Sequence, residues 1–300
     1  METLSPREVP LGGLRAMTVR RTLPQRQRTF IGAWCFIDHY GPDRVGNGGG
    51  MVVPPHPHTG LQTVSWLFSG QIEHRDSAGF QTMVKPGEVN LMTAGRGISH
   101  SEYSAPETTS LHGAQLWVAL PEEARHTHPD FEHYAPRQIG TDTWRARVFL
   151  GSALGSTSPV RTFTPLLGVE LRLVAGTTLR IPVDRDFEHG ILLDTGDLTV
   201  DGKPLAVNDL GYLPPGQNEI EIFAIADSML LLLGGTPFGE KIVMWWNFIG
   251  RDHDEVAASR EQWQRLISEG RSEQFQLPSA DLMPPIPAPA LPNARMVKRG

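Results

Sequence analysis

Apolar positions along the chain fall in short, partly alternating runs rather than at helical spacing. LQTVSWLFSGQIEHRD (61–76), RVFLGSA (147–153), GVELRLVAGTTLRIPV (168–183), HGILLDTGDLTVDGKPL (189–205) and IEIFAIADSMLLLLGG (220–235) are β-branched or aromatic and separated by Gly-containing turns. Period-two alternation turns one face of a strand toward a core, so these runs predict an all-β protein. Asp201-Gly202 between two apolar runs predicts a tight hairpin. One stretch has another period. In DEVAASREQWQRLISE (about 254–269), Val256, Trp263, Leu266 and Ile267 recur at helical spacing, Asp254 and Glu255 stand at the start, and Gly270 follows the end. This predicts a single short amphipathic helix. The segment after it, LPSADLMPPIPAPALPNARMVKRG, is Pro-rich and predicted to be extended.

A faint duplication runs through the pattern. LFSGQIEHRDSAG followed by VKPGEVNLMTAGRG in the first half is echoed by LLDTGDLTVDGKPL followed by VNDLGYLPPG in the second. Two small antiparallel barrels of shared design, joined near residues 136–165, account for it. The expected division is 1–135 for one barrel and 136–300 for the other, the helix and the Pro-rich tail belonging to the second. With 300 residues, either half is long enough to bury a core.

Charge narrows the partners. Twenty-seven Lys and Arg against thirty-three Asp and Glu leave a net charge of −6, which offers no general attraction to nucleic acid or anionic lipid. No apolar run reaches the roughly 18 to 20 residues that span a bilayer, and METLSPREVP lacks the apolar stretch of a signal peptide. A cytoplasmic, monomeric protein is expected. Cys35 is the single cysteine, so disulfides and Cys-based zinc clusters are excluded and any metal must be held by His and carboxylate.

The chemistry concentrates in the first half, where eight of the eleven histidines lie between positions 56 and 133. His56-Pro57-His58 and His100-Ser101-Glu102 are two pairs at spacing two, and residues i and i+2 of a strand share a face. If the two strands face one another across a barrel, His56, His58, His100 and Glu102 converge. Three neutral imidazoles and a carboxylate would hold a divalent transition metal and leave two positions open in an octahedral field. That arrangement suits Fe(II) binding a substrate or dioxygen, while Ni, Cu, Zn, Mn or Co would also be accepted. His126-Thr127-His128 repeats the spacing in a polar, Pro-bounded segment and reads as a surface loop. His74 reads as structural, facing outward or pairing with Asp76, and Cys35 as a buried, inert thiol.

HPHTGLQTVSWLFSGQIEHRDSAG, GEVNLMTAGRGISHSE and WWNFIGRDHDEV together resemble the pirin family of the cupin superfamily over roughly residues 10 to 290. The resemblance implies two tandem cupin barrels, with one iron in the N-terminal barrel held at the His-Pro-His and His-x-Glu positions. These are His56, His58, His100 and Glu102 here. It also implies a second barrel without metal ligands, and the second half contains only His189 and His253. Quercetin 2,3-dioxygenase activity is associated with the family, so a flavonol-type small molecule and dioxygen are the implied partners. The other class is an iron-dependent regulator that binds a protein partner without turnover.

Where family members often read HPHRGFET, this chain has Thr59, Leu61 and Gln62. Counting parity from His56 and His58, Gln62 is expected to point toward the metal, where an amide cannot take the proton that a carboxylate base would. Glu102 is the other candidate for that catalytic role, and Val53, Gln62, Val64 and Trp117 are expected along the pocket.

Overall fold

The computed structural model describes residues 1–11, 17–45, 50–279, 281 and 283–300. Antiparallel ladders build two barrels, each from one seven-stranded and one four-stranded sheet. In the first barrel the larger sheet runs, in spatial order, Asp130–Tyr134, Val89–Thr93, Leu61–Ser69, Ser110–Ala119, Trp34–Arg44, Met17–Leu23 and Arg7–Leu11. It packs on Val52–His58, Ile98–Ser104, Ile72–Asp76 and Gln81–Val84, with Tyr40, Leu67 and Leu111 of one sheet against Val53, Ile72 and Val84 of the other. In the second barrel Glu2–Leu4, Leu210–Leu213, Glu188–Thr195, Ser228–Gly235, Leu166–Leu173, Trp144–Leu150 and Ile139–Gly140 pack on Thr178–Pro182, Glu219–Ala224, Leu198–Val200 and Lys203–Leu205. The recurrence of this plan is the duplication seen in the sequence.

The two large sheets lie face to face, which explains their near-continuous apolar strands. Leu230 and Leu232 enter the core of the second barrel, while Leu231 and Leu233 enter the seam between the barrels. A strand buried on both faces has no solvent side to alternate with. From the first barrel Val64, Trp66 and Trp34 enter the same seam. Trp66 stacks on Phe149 with centroids 4.5 Å apart and donates from Nε1 to Glu170 at 2.9 Å.

Both chain ends pack on the barrel formed by the other half of the chain. Glu2–Leu4 pairs with Leu210–Leu213, adding an edge strand to the second barrel. The C-terminal elements lie on the first barrel instead: Phe248 bridges Thr59, Gln274 donates to the Arg96 carbonyl, and the Ile286 amide donates to the Pro55 carbonyl at 2.8 Å. Ile242 and Ile249 before the helix join the apolar cluster of Leu61 and Trp117, and Ile286 of the tail packs in the cluster of Val53. The helix is His253–Glu269, capped by Asp252, which accepts the Glu255 amide at 2.9 Å, and ended by left-handed Gly270. Asp201 and Gly202, both at positive φ, turn Leu198–Val200 into Lys203–Leu205 as their dipeptide predicts. No helix among the described residues is long and apolar enough to cross a membrane.

One corner positions the site. Thr59 and Gly60 carry the chain from the four-stranded to the seven-stranded sheet of the first barrel. Gly60 has φ +69°, and a Cβ there would meet the Ile249 carbonyl oxygen at 2.4 Å, so this close approach needs glycine.

Candidate metal centre

His56, His58, His100 and Glu102 come together, but on adjacent strands rather than across the barrel. Val52–His58 and Ile98–Ser104 are hydrogen-bonded neighbours in the four-stranded sheet, with His100 opposite His56 and Ile98 opposite His58. A bulge between His100 and Glu102 shifts the register. The three imidazole centroids lie 4.3, 4.9 and 5.0 Å apart, and their ligand atoms fall within 4.8 Å of one another. A Glu102 carboxylate oxygen falls within that same distance of His100 and His74, and Glu102 lines the same cavity as the three imidazoles.

The outer nitrogens settle the tautomers. His56 Nδ1 lies 3.0 Å from the Pro54 carbonyl and His58 Nδ1 3.2 Å from the Asn247 carbonyl. A carbonyl only accepts, so both Nδ1 atoms carry the proton and both Nε2 atoms present a lone pair. His74 donates from Nε2 to Asp76 at 3.1 Å, which leaves its Nδ1 to accept from His100 Nδ1 at 3.4 Å. His100 Nε2 is therefore a third lone pair, 3.0 Å from that of His58. Three lone pairs aimed at one point repel unless a cation sits between them, and 3 Å is about the spacing of two ligands on one transition metal. Glu102 Oε1 is buried with no hydrogen-bond partner. The residues fit a resident divalent metal.

Burial sets the charge states. It lowers the His56 pKa to about 4 and those of His58 and His100 well below the ordinary imidazole value, so all three are neutral, ligand-competent bases at neutral pH. Burial raises the Glu102 pKa, offset in part by His74. His74 is thus a supporting residue, held by an Asp76 whose other oxygen accepts the Ala78 and Phe80 amides. Replacing His74 with Ala is expected to weaken metal binding roughly 10- to 100-fold, the usual cost of losing such a partner, as read by competition with a chelator.

The ligands form the floor of a cavity of about 460 Å³. Phe36 and Trp117, stacked with centroids 4.0 Å apart, make one wall, and Trp117 meets His58 edge-on. Gln115, Met244, Trp246 and Ile286 belong to the lining, as do Arg7 and Arg21, and Val53 lies there as expected. A polar cleft of about 700 Å³ beside Arg96, His128 and Gln274 contains none of the four residues.

Gln62 and Val64 do not reach this cavity. Gln62 is buried with its amide nitrogen on Thr93 Oγ1 at 3.0 Å and the Arg161 carbonyl at 3.3 Å, and Val64 lies in the seam between barrels. The reason is the Thr59-Gly60 corner: parity counted from His56 does not carry through a change of sheet. On Leu61–Ser69 the residue turned toward the site is Ser65, which donates to Gln115 at 2.9 Å. His126 and His128 are exposed in a loop, and Cys35 is buried with its thiol pKa raised by desolvation, both as read from sequence. Residues of the lining that were not foreseen include Phe36, Gln115, Met244, Trp246, Asn247 and Ile286. Trp246 and Asn247 belong to the WWNFIG motif.

Residues 15–118 match the Pirin family and 168–267 match the Pirin C-terminal cupin domain. This chain belongs to the pirin family. A Pseudomonas aeruginosa pirin relative, provisionally named a quercetin 2,3-dioxygenase, is 42% identical over 289 residues, covering 96% of this chain and 91% of its own. A pirin-like protein of Caulobacter vibrioides is 34% identical over 280 residues, covering 90% and 94%. Among solved structures, a quercetin 2,3-dioxygenase from Acinetobacter baumannii superposes with a TM-score of 0.91 at 39% identity, covering 98% of this pirin and 96% of that chain. The two-barrel cupin architecture is therefore that of a pirin, and its His and carboxylate cluster is of the kind that holds a metal.

Proposed function

We propose that this pirin is an Fe(II)-dependent dioxygenase that opens the ring of flavonol-type substrates, in the manner of a quercetin 2,3-dioxygenase. The observation that carries the reading is three imidazole lone pairs and an unpartnered carboxylate oxygen on the floor of an aromatic-walled cavity. His56, His58, His100 and Glu102 would hold the metal, which when bound supplies a Lewis acid for adjacent substrate oxygens and redox access to dioxygen.

The protein's own contribution follows from the lining. The stacked Phe36 and Trp117 offer a wall for a planar aromatic substrate, and Met244, Trp246 and Ile286 add apolar lining. Gln115 has committed its carbonyl oxygen to Ser65, so its amide hydrogens remain to orient a substrate oxygen. Glu102, with its basicity raised by burial, would accept a hydroxyl proton at the carboxylate oxygen not held by the metal. The volume lies within the roughly 300–1,000 Å³ of small-molecule sites. The names of the Pseudomonas and Acinetobacter relatives point the same way.

The test is turnover. Protein reloaded separately with Fe(II), Ni, Cu, Zn, Mn and Co is mixed with quercetin in air, and loss of flavonol absorbance and release of carbon monoxide are followed. The Fe(II) form is expected to turn over. A fully metal-loaded protein that consumes no flavonol with any of these metals would overturn the enzyme reading in favour of a regulator that binds a protein partner.

A further inference from the structure

We propose a second metal site, for a divalent cation of zinc's class, at the seam between the barrels, built from His39, His112 and Asp194. The inference is independent of the dioxygenase reading and uses none of its residues. His39 lies on Trp34–Arg44 and His112 on Ser110–Ala119, adjacent strands of the first barrel's large sheet, while Asp194 lies on Glu188–Thr195 of the second. All three are buried, and their ligand atoms lie within 4.8 Å of one another.

Asp194 Oδ1 is 2.5 Å from His39 Nε2 and 2.6 Å from His112 Nε2. His112 and Asp194 both sit where the ladders slip register, between Leu111 and Gly113 and between Leu193 and Thr195. Bulges re-aim a side chain out of the regular pleat, and the bulge beside Glu102 presents a carboxylate in the same way. A bulge in each barrel, at His112 and at Asp194, thus brings two donors to the point that His39 reaches from a regular strand position.

Hydrogen bonding leaves two atoms of this cluster without a partner. Asp194 Oδ2 is buried without a partner, as is His39 Nδ1. The Asp194 carboxylate is thus held between the barrels by the two imidazoles. Arg20, opposite His39 in the ladder, has given its Nη2 to the Gly41 carbonyl. Phe68 closes one side with its ring 4.8 Å from that of His112. A cation bound at about 2.0–2.1 Å to each donor needs the donors about 3 Å apart, so the imidazoles would move back by roughly half an ångström. Two imidazole nitrogens and a carboxylate suit zinc or a similar borderline ion, and such an ion would pin one barrel to the other.

Metal stoichiometry of the full-length protein tests the site. Protein stripped with a chelator, reloaded with Zn2+ and desalted is expected to retain two ions per chain, counted by elemental analysis. His56→Ala and Asp194→Asn should each retain one, and the double variant none. His56→Ala leaves the seam intact, so reloading it with Co2+ should give one equivalent of bound ion with visible bands from imidazole and carboxylate ligands, even if Asp194→Asn does not fold. A wild-type protein saturating at one ion with His56→Ala at zero would overturn the proposal. Failure at the first centre looks different: His56→Ala would then keep the wild-type count, while Asp194→Asn would still lose one ion.

Discussion

His100→Ala is expected to remove the metal from the first-barrel centre and abolish its chemistry, the largest functional effect of any single substitution in this chain. The imidazole does two jobs. Its Nε2 is one of three lone pairs meeting at the centre, and its Nδ1 links the centre to His74 and Asp76. Removing it deletes a ligand and orphans the support behind it, so the loss should exceed the roughly 10- to 100-fold expected for His74→Ala. Elemental analysis should show this centre empty, and flavonol consumption by the reloaded protein should fall to background. His189→Ala is the matched control, because His189 lies in the second barrel, outside both clusters. Full occupancy of the centre in His100→Ala would mean that the metal is not held there.

The largest stability effect is expected from Trp34→Ala. Trp34 is fully buried in the seam, and its Nε1 lies 3.2 Å from both the Leu167 and Gly234 carbonyls of the second barrel. The side chain therefore fills space between the barrels and donates across them. Truncating a buried tryptophan costs about 3–5 kcal/mol from lost burial and the cavity left behind. At roughly 2–4 °C per kcal/mol for a protein of 150–250 residues, Tm should fall by about 10 °C, and somewhat less in a longer chain. Trp34→Phe retains much of the ring but not the donor and should cost about 1–3 kcal/mol. Thermal melts of the three proteins separate packing from hydrogen bonding. If Trp34→Ala melted within two or three degrees of wild type, the seam would not be the shared core that its packing indicates.

What could be read from the sequence was what neighbours in the chain decide. Asp201-Gly202 turns a hairpin because its two residues tolerate positive φ, and His253–Glu269 is a helix because its apolar spacing and its caps agree. His56 with His58, and His100 with Glu102, share faces because a strand has period two. That periodicity says which residues point together, not which strand lies alongside. The two ligand pairs proved to be adjacent rather than opposed, and the parity that aimed Gln62 at the metal ended at the Thr59-Gly60 corner.

Only the tertiary structure decided the rest. Both termini cross to the other barrel because apolar faces are covered by whatever segment packs best, however far away in the chain. Trp246, Asn247 and Ile286 join the first-barrel cavity for that reason. The meeting of His39, His112 and Asp194, separated by up to 155 residues, depends on two bulges and on the docking of two sheets. No local pattern records such a meeting, because each of its residues is ordinary on its own strand and becomes a donor set only when the barrels close on one another.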